Sequence, residues 1–210
     1  MKEIERKWLV TGWPEDYVPE EESAPRLLEI QSMRQGYVSV EPTVRIREES
    51  FLYLRPEDGS QPAISSVPLS GKISTSLPSK VMPAAQANAL DTSYILCFKS
   101  SGGIAREEIE FPIEKDQFAQ LESLIGLPLI PKIRRTYRLS DGQHLEVNQV
   151  DADSDTAFWY AEIEFPSIEK ARGWSPDSPW LSAYLHEEVT EIPGYSMGSY
   201  WLRTRKANKP

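Results

Sequence analysis

The chain has 210 residues, 40% of them hydrophobic, and its 23 lysines and arginines against 32 aspartates and glutamates give a formal net charge of −9. That is enough chain for one domain with a sizeable core, or two small ones, and the acidity argues against broad nucleic-acid binding while leaving room for a locally basic pocket. No apolar run reaches membrane-spanning length, and Met1-Lys2-Glu3-Ile4-Glu5 has neither the basic start nor the apolar stretch of a signal peptide, so the expected location is the cytoplasm.

Along the chain, alternation predicts a first strand over residues 2–10, with Glu3, Glu5 and Lys7 on one face and Ile4 and Arg6 on the other. A short helix is expected near 14–30, followed by strands over 34–40 and 43–54. The stretch 55–93 differs in kind. It carries Pro56, Pro62, Pro68, Pro78 and Pro83 among many serines, and reads as a long surface insertion between two strands. Strands follow over 94–100 and 105–113. From 116 to 125 the spacing of Phe118, Leu121, Leu124 and Ile125 predicts an amphipathic helix that Gly126 ends. Strands over 132–139, 144–150 and 158–165 complete a set of eight, and shorter helices are expected over 167–173 and 179–186. A last helix over 196–206 presents Met197, Tyr200 and Trp201 on one side and ends in Arg203, Arg205 and Lys206, which suits its negative C-terminal dipole end.

Cys97 is the only cysteine, which excludes an internal disulfide, a cysteine-rich zinc site and a Cys-x-x-Cys motif. His144 and His186 are far apart and read as ordinary surface or loop residues. Any metal chemistry would therefore rest on oxygen ligands. The chain has no Gly-x-x-x-x-Gly-Lys-Ser/Thr loop and no Gly-x-Ser-x-Gly elbow, so a phosphate site would be built from side chains.

Each predicted strand sets charge on one face and apolar side chains on the other. A half-buried sheet with a solvated face would do the same. The signs are the informative part, because they are segregated by strand. Arg45 with Arg47 and Lys132 with Arg134 are basic rows; Glu3 with Glu5, Glu108 with Glu110, and Glu162 with Glu164 are acidic ones. Like charges two apart on one face cost energy unless an opposite charge lies between them. A divalent metal does this for Glu-x-Glu, and a polyanion does it for Arg-x-Arg. A closed barrel would bring all the rows to one lumen, with helices covering an apolar outside. With Lys7, Lys99 and Arg106 among the bases and Glu146 among the acids, seven bases face seven acids. Two divalent cations would then give the lumen a charge of about +4, which suits a chain of phosphates.

These motifs resemble those of the CYTH domain, or triphosphate tunnel metalloenzyme, family. The resemblance is carried in order by Glu3-Ile4-Glu5-Arg6-Lys7, Gln35-Gly36-Tyr37-Val38, Val44-Arg45-Ile46-Arg47, Phe98-Lys99-Ser100, Arg106-Glu107-Glu108-Ile109-Glu110-Phe111, Lys132-Ile133-Arg134-Arg135 and Ala161-Glu162-Ile163-Glu164-Phe165. Glu188-Val189-Thr190 with Pro193-Gly194-Tyr195 resembles the element before the family's C-terminal helix. The resemblance covers nearly the whole chain except 55–93, and it implies an α+β fold in which an eight-stranded antiparallel barrel forms a tunnel in a single domain over 1–210. It implies that Lys7, Arg45, Arg47, Lys99, Arg106, Lys132 and Arg134 bind phosphates, and that Glu3, Glu5, Glu162 and Glu164 hold one or two Mg²⁺ or Mn²⁺ ions. Glu108, Glu110 and Glu146 would complete the metal shell or orient water, and with Lys7 these form the catalytic set. There is one departure. Relatives usually carry Glu-x-Asp on the seventh strand where this chain has Glu146-Val147-Asn148, so the second metal or the water-activating role is in question.

The implied activity is metal-assisted hydrolysis of a triphosphate, with inorganic tripolyphosphate first and thiamine or nucleoside triphosphates next. A class IV-type adenylyl cyclase and a non-catalytic polyphosphate or nucleotide binder are the alternatives. The expected partner is a small-molecule triphosphate, with no nucleic acid and no membrane; the sequence is equally compatible with a monomer and a homodimer. Cys97 shares a face with Lys99 and reads as a tunnel-lining or simply buried side chain. Trp159, Tyr160, Tyr200 and Trp201 read as packing between barrel and helices.

Overall fold

A computed structural model of the protein describes residues 2–19, 25–54, 63–64 and 92–207. Among the described residues ten strands run in chain order: β1 (Lys2–Val10), β2 (Arg26–Val40), β3 (Thr43–Leu54), the two-residue β4 (Ala63–Ile64), β5 (Thr92–Lys99), β6 (Ala105–Pro112), β7 (Ile130–Arg138), β8 (His144–Val150), β9 (Phe158–Glu164) and the two-residue β10 (Glu187–Glu188). Eight of them close into an antiparallel barrel in the order β1-β6-β5-β3-β2-β7-β8-β9, while β4 pairs with β3 and β10 with β1. The closing stave is β1. Its first residues, Lys2 to Ile4, pair with β6, and Glu5 to Val10 pair with β9.

Because side chains alternate across each stave, the barrel sends its apolar residues outward. Ile4, Trp8 and Val10 of β1, Ile133 and Tyr137 of β7, Leu145 and Val147 of β8, and Ala161 and Ile163 of β9 are all buried in one cluster. That cluster is covered by α2 (Ile168–Gly173) and α3 (Pro179–Tyr184), through Ala171, Leu181 and Tyr184. On another side α1 (Lys115–Ile125) lays Phe118 against Ile46 and Leu129. Gly126 ends it in the left-handed conformation at φ 60°, as glycine does at little cost. The hydrophobic core is therefore a shell around the barrel, and the lumen is left to charge.

A third cluster closes one end. Tyr37, Val150 and Tyr160 pack with Met197, Tyr200 and Trp201 of α4 (Met197–Trp201). The predicted last helix continues past Trp201 as a π-helical turn, Leu202–Lys206. Arg205 explains its position: it donates to both carboxylate oxygens of Asp151 at 2.7 Å and to the Pro128 carbonyl at 3.1 Å, while Tyr200 Oη donates to Asp151 at 2.5 Å. Arg205 is thus engaged with a buried aspartate rather than simply answering the helix dipole.

The expected helix near 14–30 is corrected. Only Pro14–Asp16 forms a 3-10 turn, and β2 already begins at Arg26. Two register shifts, between Leu27 and Glu29 and between Ile30 and Gln31, put the adjacent Leu27 and Leu28 both in buried positions. Bulges of this kind erase the period-two signal. Of the 55–93 insertion, Ala63–Ile64 and residues 92–93 belong to strands and the remainder lies outside the described residues.

Candidate active site

The strand registers decide which side chains share the lumen. Lys99 lies across from Glu108 and Thr43, Cys97 from Glu110 and Arg45, Arg45 from Tyr37, and Arg47 from Gln35. On the other side Arg134 lies across from Asn148 and Gln31, and Glu146 from Thr136. A cavity of about 1200 Å³ opens into this lumen, and twelve of the fourteen predicted site residues line it, together with the segment 189–199. The other two stand in its wall: Arg45 reaches Glu110 at 3.4 Å and Glu108 at 3.8 Å, and Lys132 Nζ donates to Tyr160 Oη at 3.2 Å.

The walls differ in sign. Basic Arg45 and Arg47 on β3 and Lys132 and Arg134 on β7 flank β2, which contributes Gln31, Gln35 and Tyr37. Across the barrel from β2, β1 and β9 set Glu5 directly across from Glu164, while β9 and β8, the latter next to β7, set Glu162 directly across from Glu146. Facing carboxylates are destabilising by themselves. Burial, then Glu162, pushes Glu5 up to about 7; burial, then Glu146 and Glu3, raises Glu164 to about 7. Glu162 behaves oppositely: burial would raise it, but Lys7, Arg134 and Lys132 outweigh that and hold it at about 2. Burial and the nearby Arg134 pull Lys132 well below its ordinary value.

Most acids are paired with a base. Lys99 reaches Glu3 at 2.8 Å and Glu108 at 3.2 Å; Arg106 bridges Glu3 and Glu5; Lys7 Nζ lies 3.1 Å from Glu162; Arg134 holds Glu146 at 2.7 Å. Glu164 takes part in none of the ion pairs among the described residues. Glu3, Glu5, Glu162 and Glu164 face one stretch of lumen, but their oxygens do not converge on a point. The ligand atoms that do converge, all within 4.8 Å of one another, belong to Cys97, Glu108 and Glu110. There the thiol is not a ligand in waiting. Burial pushes it up to about 12 and it donates to Glu108 at 3.0 Å, so the metal-binding capacity of that trio lies in its two carboxylates.

The donor set fits a hard cation: several carboxylates, no histidine, and two of them raised chiefly by burial, Glu5 sharing Arg106 with Glu3 and Glu164 standing outside the ion pairs among the described residues. It equally fits a polyanion, because Arg45 Nε, a donor, is buried on the basic wall with no hydrogen-bond partner among the described residues.

Several lumen residues went unread in the sequence. Glu49 lies 2.9 Å from Arg47, and Glu29 accepts from Thr136 at 3.1 Å. Nine acids then face seven bases, so the expected neutral lumen is corrected to a formal −2, and two divalent cations would bring it to +2 rather than +4. Glu49 was visible as the next even step after Arg45 and Arg47; Glu29 was hidden by the bulges in β2. Tyr160 packs with α4 as expected but is a lumen residue as well. It faces inward, with Lys7 Nζ 3.7 Å over its ring, whereas Trp159 packs outside on Trp13.

The structure is thus a closed eight-stranded antiparallel barrel with helices outside and charge within. No protein-family profile matches the chain. Among curated proteins, an inorganic triphosphatase from Nitrosomonas europaea is 35% identical over 104 residues, which make up 50% of this chain and 65% of that protein. Among solved structures, an inorganic triphosphatase is similar at 23% identity with a TM-score of 0.48, over 93% of this chain and 94% of that one. A candidate adenylyl cyclase from Hippeastrum with a dominant triphosphatase activity is similar at 16% identity and a TM-score of 0.43, over 86% and 94%. In its ordered motifs the chain resembles the CYTH family, and over half of its length it is similar to a curated inorganic triphosphatase of which it spans less than two thirds.

Proposed function

We propose that this single-domain chain is a cytoplasmic, metal-dependent triphosphatase that hydrolyses inorganic tripolyphosphate to pyrophosphate and phosphate with Mg²⁺ or Mn²⁺. The observation that carries the reading is the polarised lumen: facing carboxylates, Glu5 with Glu164 and Glu162 with Glu146, share one lumen with the bases Arg45, Arg47, Lys132 and Arg134, which meet the acids at Arg134 beside Glu146 and Glu162. The match to a curated inorganic triphosphatase supports the choice of substrate.

A bound divalent cation supplies charge withdrawal from the transferred phosphoryl oxygens. Glu3, Glu5, Glu162 and Glu164 would hold it. Arg45, Arg47, Lys99, Arg106, Lys132 and Arg134 bind the phosphate chain and fix it in line, which is most of what phosphoryl transfer asks of a protein. Lys7, held between Glu162 and the Tyr160 ring, adds a further positive charge beside the reacting group. Glu108, Glu110 and Glu146 accept hydrogen bonds from the attacking water. The ion pairs of the lumen make this assembly inexpensive, since a pair such as Arg106–Glu5 can exchange for an arginine–phosphate and a carboxylate–cation pair without leaving a buried charge bare.

The test is to incubate purified protein and Mg²⁺ with tripolyphosphate, ATP and thiamine triphosphate in turn. Free phosphate released fastest from tripolyphosphate is the expected result. Cyclic AMP with pyrophosphate would replace the reading by a cyclase, and tight binding without turnover would replace it by a binder.

A further inference from the structure

We infer that Asn148 is a positioning residue for Arg134, and that the lumenal face of β8 holds a guanidinium rather than a metal ion, leaving one divalent cation per chain on the β1–β9 wall. This rests on the triphosphatase reading and concerns how that site is built.

Asn148 is fully buried and lies directly across from Arg134. Its Oδ1 accepts from Arg134 Nε at 3.1 Å, and its Nδ2 donates to the backbone carbonyl of Glu146 at 3.4 Å. Both ends of the amide are satisfied in this orientation alone, since the reverse flip would set N–H against N–H and oxygen against oxygen. Glu146, the other lumenal side chain of β8 able to bind a metal, spends its Oε2 on Arg134 Nη1 at 2.7 Å. Two neighbours therefore clamp two nitrogens of one guanidinium. Its Nη2 stays directed toward Glu162, 3.9 Å away, and this is the corner that can meet a phosphate oxygen.

The neutral amide matters here. A carboxylate at 148 would stand beside Glu146 and Glu162 as a third negative charge, an arrangement that invites a cation. Asn148 keeps the hydrogen bond to Nε and adds no charge. On β1 and β9 the situation is reversed, because Glu5 faces Glu164, which takes part in no ion pair among the described residues, and the one base on Glu5, Arg106, is shared with Glu3. The fixed Arg134 fork is a geometry lysine cannot reproduce.

The experiment counts Mn²⁺ per chain by electron paramagnetic resonance and measures tripolyphosphate binding by calorimetry, alongside kinetics, for wild type, Asn148→Ala, Arg134→Lys and the double variant. One Mn²⁺ per wild-type chain is expected. Asn148→Ala should keep its Mn²⁺ affinity within about twofold while KM and the calorimetric Kd for tripolyphosphate rise about tenfold or more. In the Arg134→Lys background it should add nothing further, because its effect runs through the guanidinium. Two Mn²⁺ per wild-type chain, a tenfold fall in Mn²⁺ affinity of Asn148→Ala, or additive losses in the double variant would each overturn the inference. If Asn148→Ala does not fold, Asn148→Ser is carried through the same cycle. Metal count and calorimetric binding need no turnover, so a protein that hydrolyses no triphosphate would sink the functional reading while still deciding this one.

Discussion

Chelator-treated protein should lose thermal stability as pH rises from 5 to 8, and Glu5 should account for much of the loss. Its carboxyl is raised from 4.5 to about 7, chiefly by burial and then by Glu162, despite the Arg106 contact. A group raised in the folded state binds its proton more tightly there than in the unfolded chain. Its penalty is absent below pH 4.5, grows between 4.5 and 7, and is complete above 7. At about 1.4 kcal/mol for each pH unit, the cost approaches about 3 kcal/mol. Its side chain is only 14% exposed, so solvent screens little of this. For a chain of this size that is a fall in Tm of roughly 6–12 °C. Glu164 acts in the same direction. Glu162 does not oppose it within the window, because its contribution is gained above 4.5, is already nearly complete at pH 5, and is lost only as pH falls toward 2. Differential scanning fluorimetry in EDTA, wild type beside Glu5→Gln, measures the slope. Glu5→Gln should flatten it, and millimolar Mg²⁺ should raise Tm more at pH 8 than at pH 5, since the cation takes the ionised carboxylate. An identical slope in the variant, or a Tm that climbs with pH in EDTA, would refute the argument.

Other expectations follow from particular contacts. Glu5→Gln should fold normally and lose at least about 100-fold in metal-dependent turnover, read by phosphate release with circular dichroism as the control. Arg45→Ala removes a buried cation of the phosphate wall and should raise KM for tripolyphosphate more than it lowers kcat, with an effect that shrinks as ionic strength rises. Asp151→Ala strips Arg205 and Tyr200 of their buried partner and should cost about 3 kcal/mol in urea denaturation, freeing the C-terminal turn to proteolysis first. Gly36→Ala places a Cβ 2.4 Å from Leu129 Cδ2; overpacking there should cost about 1–3 kcal/mol by the same measurement.

What the sequence disclosed, and what it withheld, divides along the periodicity of the strands. Where alternation is unbroken, as in Glu3-x-Glu5-x-Lys7 or Arg45-x-Arg47, the lumenal side chains could be named before any coordinate existed, because only one register puts the apolar partners outside. In β2 the bulges placed Leu27 and Leu28 in sequence as a helix-like pair, and the strand's first half, with Glu29 in it, was misread. Pairing was withheld for a different reason. Which acid faces which base depends on shear around a closed barrel, so nothing in the chain announced that Glu5 would meet Glu164, or that Cys97 would stand with Glu108 and Glu110. Tyr160 was assigned to the outside by residue type, since aromatics usually pack; its position two residues before Glu162 was the better guide.

The lumen's balance explains how so much charge survives inside a folded protein. Seven bases and nine acids in one cavity would be untenable if each were desolvated alone. The barrel solves this by pairing them: Lys99 with Glu3 and Glu108, Arg134 with Glu146, Lys7 with Glu162. At Glu5, raised chiefly by burial despite Arg106, and at Glu164, outside the ion pairs among the described residues, the carboxyls take up protons near neutrality instead. Those are the positions where folding is weakened by the protein's own design, and a cation bound there would relieve the strain it exploits. The remote basic wall has the complementary deficit in the orphaned Arg45 Nε. A ligand that is anionic along its length and carries a divalent cation on one side answers both deficits at once. A single phosphate meets fewer of the bases that β3 and β7 set in rows, Arg45 with Arg47 and Lys132 with Arg134, at once. Chain length is then discriminated by geometry alone, and orthophosphate should compete with tripolyphosphate far more weakly than its charge per phosphorus would suggest, a difference that inhibition constants measured at fixed Mg²⁺ would expose.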